Sequence, residues 1–340
     1  MKTASDRGLS VIVIAHNAER VLPECLASLL PLQDGDEIIL VDNGSCDRTT
    51  EMISSFAPTG PRVIRHLSPT NTGISKGRAT GASLASNEVL VFVDVDLVLA
   101  PGVVSHVREK MAECDGIVGA YVNAGPGLVW YRELKHRILS GKVVGGQDWR
   151  ISLRRFTTMS GGLCAIRSEA YGAVGGYNRE FPNAALEDID LELRLLASGC
   201  QLDFCGAFSG IHHTRLTLPA FVRWCWRAGS GNARVFAAAC SGVYRLPATR
   251  YYPRFPAGPL CWALIATAMR PLWMAAIIEC ALVGWFVWPF LTDRESGAVR
   301  RLTAAALYVV DETITLAAFL FQCIAILRPT SRSQFGGRSP

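Results

Sequence analysis

Two aspartates one residue apart close an apolar run, VFVDVD over residues 91 to 96, that otherwise reads as a buried strand. A carboxylate in such a setting is costly unless it meets a cation, a set of donors or a water-exposed strand end. Acidic oxygens of this kind suit hard cations such as Mg²⁺ or Mn²⁺, although one of the pair could simply cap a turn before Pro101. Asp42 poses a related question. It follows EIILV and precedes Asn43-Gly44-Ser45, a turn-forming set that exposes a carboxylate able to accept from a base N–H, unless it only caps the next element. In NTGISKGRATG, residues 71 to 81, Gly73 and its fellow glycines permit close approach of a ligand, and Arg78 can meet phosphate or base.

The elements that must position these residues are legible as short β-branched runs. SVIVIA (10 to 15), EIILVD (37 to 42), RVIRHL (62 to 67) and EVLVFVD (88 to 94) alternate with helical spacing such as ERVLPECLASLL. This alternation predicts βαβ units and a parallel sheet covered on both faces. Ligands of such sheets bind beyond the carboxyl ends of the strands. Ala15 with His16-Asn17, Asp42 with Asn43-Gly44, and Asp94 with Asp96 all fall there, so three polar groups should converge on one edge. From about 118 to 160 the periodicity weakens, and this stretch reads as irregular, substrate-side structure. EDIDLELRLLASG, 187 to 199, reads as a helix with acids in its first turn and Gly199 as its stop; Asp190 and Arg194 form an ordinary i,i+4 pair.

Composition sets the wider frame. The 340 residues are half hydrophobic, enough to bury two ordinary domains, and the formal charge is +5. Of 34 basic residues 29 are Arg, suited to bidentate anion binding, though a biased codon usage gives the same skew. No nucleic acid is expected as a partner. Eleven Cys without a CxxC pair or zinc-like spacing read as reduced packing thiols. The first 17 residues hold only a five-residue apolar run, too short for a signal-peptide core, so the chain is expected to start inside the cell.

Past Asp203 no acid occurs until Glu279, while eight Arg appear among Trp, Tyr and Phe, a pattern that fits a membrane-water interface. Two apolar runs, 272 to 291 and 303 to 327, are each long enough to span a bilayer. Glu279 and Asp311-Glu312 within them would be expensive facing lipid, and soluble core helices or interfacial helices are the alternative. Residues 256 to 269 read as interfacial and 331 to 340 as a disordered tail. With two spans, Arg294, Arg300 and Arg301 would fall in the outer loop against the positive-inside tendency; a third span, a re-entrant pair or surface helices would resolve this.

Taken in order, SVIVIAHN, EIILVDNGSCDRT, NTGISKGRATG, VFVDVD, SGGLCAIRSEAYGAVGGYN and EDIDLELRLLASG resemble the family 2 glycosyltransferases. The resemblance covers about residues 9 to 235. It implies a GT-A fold, α/β with a Rossmann-like mixed sheet, over 1 to 235, followed here by interfacial and transmembrane helices over 236 to 330. It implies an inverting enzyme that moves a sugar from a nucleotide-diphosphate-sugar to an acceptor hydroxyl, using Mg²⁺ or Mn²⁺; the basic aromatic stretch beside the apolar runs suggests a lipid-linked or cell-surface glycan acceptor at the cytoplasmic face of the cell membrane. By the same resemblance Asp96 is the direct metal ligand, joined by His212, which would otherwise be an ordinary core or surface histidine. Asp94 contacts ribose or bound metal, and Asp42 reads the nucleobase.

Ala15, Asn17, Gly73, Arg78 and Gly162 would complete the nucleotide-sugar site. Gly161, Glu187 and Trp224 would face the acceptor, with Asp188 as general base. The family pattern has Ala-Arg-Asn where this chain has Gly77-Arg78-Ala79, so no polar role falls to residue 79. FVRWCWRAGSG, 221 to 231, is similar to the QxxRW motif of processive members, but Ala220 replaces the Gln, which argues against polymer synthesis. Arg223, Trp224 and Arg227 could instead hold the donor diphosphate or an anionic lipid, or anchor the chain at the interface.

Competing readings leave these motifs unexplained. A haloacid-dehalogenase-type phosphatase would carry its DxD on the first strand, not the fourth, and a dehydrogenase would need GxGxxG after the first strand. A catalytically silent membrane scaffold has no need of Asp42, Asp94, Asp96 and Asp188 together.

Overall fold

The computed structural model describes residues 8–140, 144–152, 161–179, 181, 186–244, 287–293 and 297–327. They fall into two units, Met1–Leu218 and Pro219–Pro340.

The first unit is built on one mixed sheet. β1 (Leu9–Ala15), β2 (Glu37–Asn43), β3 (Arg62–Ser68) and β4 (Val89–Asp94) are parallel in the order β3-β2-β1-β4. The order continues through β8 (Leu163–Arg167), β6 (Gly116–Ala124), β9 (Leu202–His213) and β5 (Leu97–Leu99), with β7 (Trp149–Arg150) paired to β9. β8 runs antiparallel to both β4 and β6, so the fully parallel arrangement ends at β4 and the sheet is mixed, as the family resemblance implies.

β1, β2 and β4 read as unbroken apolar runs because both of their faces are covered. Along β1, Val11 and Val13 pack to one side with Leu22, Cys25 and Leu26 of α1 (Leu22–Ser28) and with Val103 and Val107 of α4 (Val103–Lys110). Ile12 and Ile14 pack to the other with Ala79 of α3 (Ile74–Leu84), Tyr171 of α6 (Ser168–Ala173) and Leu191 and Leu195 of α7 (Glu187–Ala197). α2 (Thr49–Ser55) lies between β2 and β3 in the chain, and β3 forms the edge, with Arg62, Arg65 and Leu67 exposed.

The stretch from 118 to 160 is not irregular where it is described. It holds the nine-residue β6, the helix α5 (Val129–Ser140) and β7. β6 hides from a search for alternation for two reasons. Its first five residues are buried, and the register with β9 shifts between Val118 and Ala120. Its glycines answer to packing: a Cβ on Gly119 would lie 2.4 Å from the Phe208 carbonyl oxygen, and one on Gly116 would lie 2.8 Å from Leu202.

In the second unit, α8 (Leu218–Cys240) packs on α9 (Ala298–Leu327) through small residues. A Cβ on Gly229 would meet the Thr315 carbonyl oxygen at 2.1 Å, and the Thr315 hydroxyl donates to the Cys225 carbonyl at 3.3 Å. The ring pairs Trp226–Phe321 and Phe236–Phe319, each 5.8 Å apart, extend the contact. Ala298–Ile326 is long and apolar enough to cross a bilayer. Asp311 and Glu312 turn inward, 1% and 6% exposed, while Leu302, Phe321 and Ile324 face outward. The apolar runs read at 256 to 269 and 272 to 291 lie wholly or mostly outside the described residues, as does the tail from 328. Among the described residues no disulfide joins the nine cysteines.

Candidate active site

The carboxyl edge of the parallel strands gathers the groups that the strand ends placed there. In the β1–β2 register Ala15 faces Asp42, and in the β1–β4 register Ile14 faces Asp94. Asn17 adopts a left-handed backbone, φ 51°, and ties the end of β1 to the loop after β2. Its N–H donates to Ser45 Oγ at 3.0 Å, and its Oδ1 accepts from the Cys46 N–H at 2.8 Å. Asp42 is buried; Oδ1 accepts from the Ser45 N–H at 3.0 Å, and Oδ2 accepts from the Thr50 hydroxyl. Each carboxylate oxygen has a further acceptor position beyond these bonds.

Asn43, which the sequence marks only as a turn residue, clamps the next loop. Its Oδ1 accepts from Thr72 N–H and hydroxyl at 3.0 and 2.9 Å, and its Nδ2 donates to Asn71 Oδ1 and the Gly73 carbonyl. Gly73 sits at φ 89° just before α3, where a side chain would be strained.

Arg78 projects from α3 into a buried network. Its Nη2 donates to Asp94 Oδ1 at 2.7 Å and its Nη1 to Glu187 Oε1 at 2.9 Å, with both Arg78 and Glu187 side chains 4% exposed. Burial works against the guanidinium charge, but Asp94, Tyr177 and Glu187 together push its pKa well above the usual range. The Tyr177 ring lies 5.3 Å from the guanidinium carbon, and the Tyr177 hydroxyl donates to the Gly161 carbonyl at 3.4 Å. Tyr177 is another residue the sequence did not single out. The GGYN signal that places it, with Gly175 and Gly176 both at positive φ, is present at 175 to 178.

Gly161 and Gly162 are glycines because of these neighbours. A Cβ on Gly162 would lie 2.0 Å from Asp94 Oδ2, and one on Gly161 would lie 2.5 Å from Arg78 Nη1 and 3.0 Å from the Asp188 Cβ. The Gly162 carbonyl accepts from the Asp94 N–H at 2.9 Å. Asp188 sits in the first turn of α7, half-buried, with Oδ2 accepting from the Gly161 N–H at 3.1 Å and Oδ1 from the Ile189 N–H at 2.9 Å. Leu186 before it holds φ 65°, a sparsely populated conformation for a leucine. Such outliers gather at functional sites, where the surrounding structure holds them in place. Asp190 and Arg194 form the expected helix pair at 2.6 Å.

Asp96, in the turn between β4 and β5, meets His212 near the end of β9, the strand that pairs with β5. Asp96 Oδ2 lies 3.0 Å from His212 Nε2, and the Asp96 carbonyl accepts from the His213 N–H at 2.8 Å. Both histidines end β9, where the sequence placed them. His212 Nδ1 in turn contacts Asn123 Oδ1 at 3.0 Å. Cys25 lies nearby, its Sγ 3.8 Å from the Asp94 carbonyl. Burial, then the charges of Asp96 and Asp94, push its thiol up.

Among the described residues no cluster of three or more His, Cys, Asp or Glu could hold a metal unaided. One carboxylate and one imidazole with Asp94 beside them are nonetheless a fitting donor set for Mg²⁺ or Mn²⁺, which take few protein ligands and complete their shell with phosphate oxygens and water. Trp224 stands on α8 in the second unit, apart in the chain from the other candidates.

Comparison with known proteins agrees with the family resemblance and the fold. The family model for glycosyl transferase family 2 matches residues 10–175. The chain is 38% identical over 192 residues to a PGL/p-HBAD biosynthesis glycosyltransferase of Mycobacterium bovis (strain BCG / Pasteur 1173P2), covering 56% of this chain and 70% of that relative. It is 31% identical over 162 residues to the uncharacterized glycosyltransferase YibD of Escherichia coli (strain K12), where the match spans 45% of this chain and 46% of the relative, less than half its length.

Among solved structures, the mannosyltransferase PcManGT from Pyrobaculum calidifontis, in complex with GDP-Man and Mn²⁺, superposes with a TM-score of 0.63 at 15% identity, covering 92% of this chain and 86% of that one. The S. aureus TarS fragment 1-349 in complex with UDP-GlcNAc gives 0.54 at 13% identity, covering 92% and 90%. At such identities the likeness is one of fold, and the fold is GT-A. Six motifs in order, a mixed sheet of this topology and a relative matched over most of its length lead to one conclusion: the chain belongs to glycosyl transferase family 2.

Proposed function

We propose that the enzyme is an inverting, metal-dependent glycosyltransferase that takes a sugar from a nucleotide-diphosphate-sugar and passes it to a lipid-linked or cell-surface glycan acceptor. The observation that carries this reading is one buried network in which Arg78 bridges Asp94 and Glu187 while Gly161 and Gly162 pack against Asp94, Arg78 and Asp188. It joins the expected donor side of the site to its expected acceptor side within hydrogen-bonding distance.

In this reading Asp42 accepts from the nucleobase, with Ala15, Asn17 and Gly73 shaping the loop walls around it. Asp94, held by Arg78, faces the ribose, and Asp96 with His212 would hold Mg²⁺ or Mn²⁺. Bound there, the cation offsets the charge that develops on the departing diphosphate. Asp188 takes the acceptor hydroxyl proton as the oxygen attacks the sugar carbon. The new carbon–oxygen bond forms as the bond to the diphosphate oxygen breaks on the opposite side. The nucleoside diphosphate leaves with the electron pair, and a single displacement inverts the anomeric configuration. Glu187 and Gly161 line the acceptor side.

The solved neighbours that carry GDP-Man or UDP-GlcNAc support a nucleotide-sugar donor. The exposed apolar side chains of α9 and the Arg- and Trp-bearing start of α8 support a place at the cytoplasmic face of the cell membrane, with Trp224 near a membrane-borne acceptor. Saturation-transfer NMR of the detergent-purified chain against UDP-, GDP- and dTDP-sugars, with and without Mn²⁺, tests the reading. Metal-dependent binding of one donor, abolished by Asp96→Asn, is expected. Folded wild-type protein that binds none of them would favour a catalytically silent scaffold.

A further inference from the structure

The partners behind His212 decide which of its nitrogens faces Asp96. Glu133, on α5, accepts at Oε2 from the Asn123 backbone N–H at 2.7 Å and from Asn123 Nδ2 at 2.8 Å. A carboxylate has no proton to give, so the Asn123 amide must turn its nitrogen toward Glu133 and its oxygen away. That oxygen lies 3.0 Å from His212 Nδ1, and an amide oxygen only accepts, so Nδ1 carries the proton. In the neutral ring Nε2 then presents a lone pair, and 3.0 Å from it is Asp96 Oδ2, another lone pair. Two acceptors facing across that distance call for a positive species at the site. Asn123 and His212 are cross-strand partners in the β6–β9 register, 6% and 7% exposed, and the Tyr121 ring centroid lies 5.0 Å from that of His212.

We infer that Asn123 and Glu133 are positioning residues, which fix His212 in its Nδ1–H tautomer and aim Nε2 at a divalent cation shared with Asp96. The inference rests on the metal reading of Asp96 and His212. It adds two residues from the part of the chain in which the sequence showed no order. Such partners behind a ligating imidazole set its tautomer and orientation, and their loss weakens metal binding roughly 10- to 100-fold.

Two readouts test it on the full chain in detergent. With ¹⁵N-labelled histidine and no metal, at a pH where the ring is neutral, long-range ¹H–¹⁵N spectra report the tautomer of His212, assigned by its loss in His212→Gln. Wild type and Glu133→Gln, whose amide oxygen still accepts from Asn123, should show Nδ1–H; Glu133→Leu and Asn123→Leu should shift toward Nε2–H. Mn²⁺ affinity by EPR in the presence of a nucleoside diphosphate should fall roughly 10- to 100-fold in the two Leu variants and stay near wild type in Glu133→Gln.

An unchanged tautomer with Mn²⁺ affinity within about 2-fold of wild type, in whichever Leu variant folds, would overturn the inference. If neither folds, Glu133→Gln decides: a loss of the Nδ1–H form there would overturn it. Wild-type protein that binds no Mn²⁺ would sink the metal reading itself, and the metal-free spectra would still decide whether Asn123 and Glu133 orient the ring.

Discussion

At the scale of single residues, Arg78 shows what sequence can and cannot disclose. Its type and its place after a glycine-rich turn mark it for anion binding, but its partners lie 16 and 109 residues away in the chain, and no local pattern encodes them. Replacing it with Met removes the guanidinium from the buried Glu187 carboxylate, and a broken buried pair typically costs about 3–5 kcal/mol. Arg78→Met should therefore lower the denaturant midpoint clearly, and Arg78→Lys should recover only part of it, since an ammonium cannot bridge two carboxylates with the fork geometry of a guanidinium. Gly162→Ala isolates geometry from charge. A methyl 2.0 Å from Asp94 Oδ2 must displace that carboxylate from Arg78, so donor turnover should drop by roughly 10-fold or more, the scale of a 1.4 kcal/mol loss in the transition state, in protein that still folds. Asp42, Asp94, Asp96 and Asp188 were legible because a carboxylate at a strand end or helix start needs a reason. Asn43, Asn123 and Tyr177 were not, because a neutral amide or a phenol carries no such cost until its partners are seen.

At the scale of elements, the four parallel strands were legible to within a residue or two: β1, β2 and β4 because burial on both faces removes polar positions from them, and the edge strand β3 through its β-branched Val63 and Ile64. β6 and α5 escaped notice for the opposite reason. β6 is interrupted by Gly119 at a register shift, and α5 carries Arg132, Glu133, Lys135 and His136 in its middle, with no capping signal at its start. The far end of the sheet holds a polar cluster of three residues that the sequence did not flag. Glu37, buried at the start of β2, accepts from the Ser10 hydroxyl and the Ser86 N–H, each at 2.6 Å, and from the Ser86 hydroxyl at 2.8 Å. Burial alone would raise its pKa, but these hydrogen bonds and Arg62 outweigh it and hold the carboxyl below its ordinary value of 4.5. A carboxylate lowered on folding stabilises the protein fully above that ordinary value and loses the contribution as pH falls through the lower folded one. Glu37→Gln should cost about 1–3 kcal/mol at neutral pH, and urea titrations should show the gap to wild type narrowing as pH falls below about 4.5.

At the scale of the whole molecule, the composition break after Asp203 pointed to a change of environment, and α9 gives it a physical form: a 30-residue helix, about 45 Å long, with Asp311 and Glu312 turned inward and Leu302, Phe321 and Ile324 turned out. If this helix sits in a bilayer, the full chain should stay with membranes through high salt and alkaline carbonate; release by either wash would leave only surface attachment. The proposed function divides the labour of the site between Asp96, for metal and donor, and Asp188, for proton removal. The most direct test measures donor affinity and donor turnover side by side, with Mn²⁺, in wild type, Asp96→Asn and Asp188→Asn. Asp188→Asn should bind donor as wild type does while turnover falls about 10²–10⁴-fold, and Asp96→Asn should lose both. Wild-type turnover in Asp188→Asn, or Mn²⁺-dependent donor binding that survives Asp96→Asn, would contradict it.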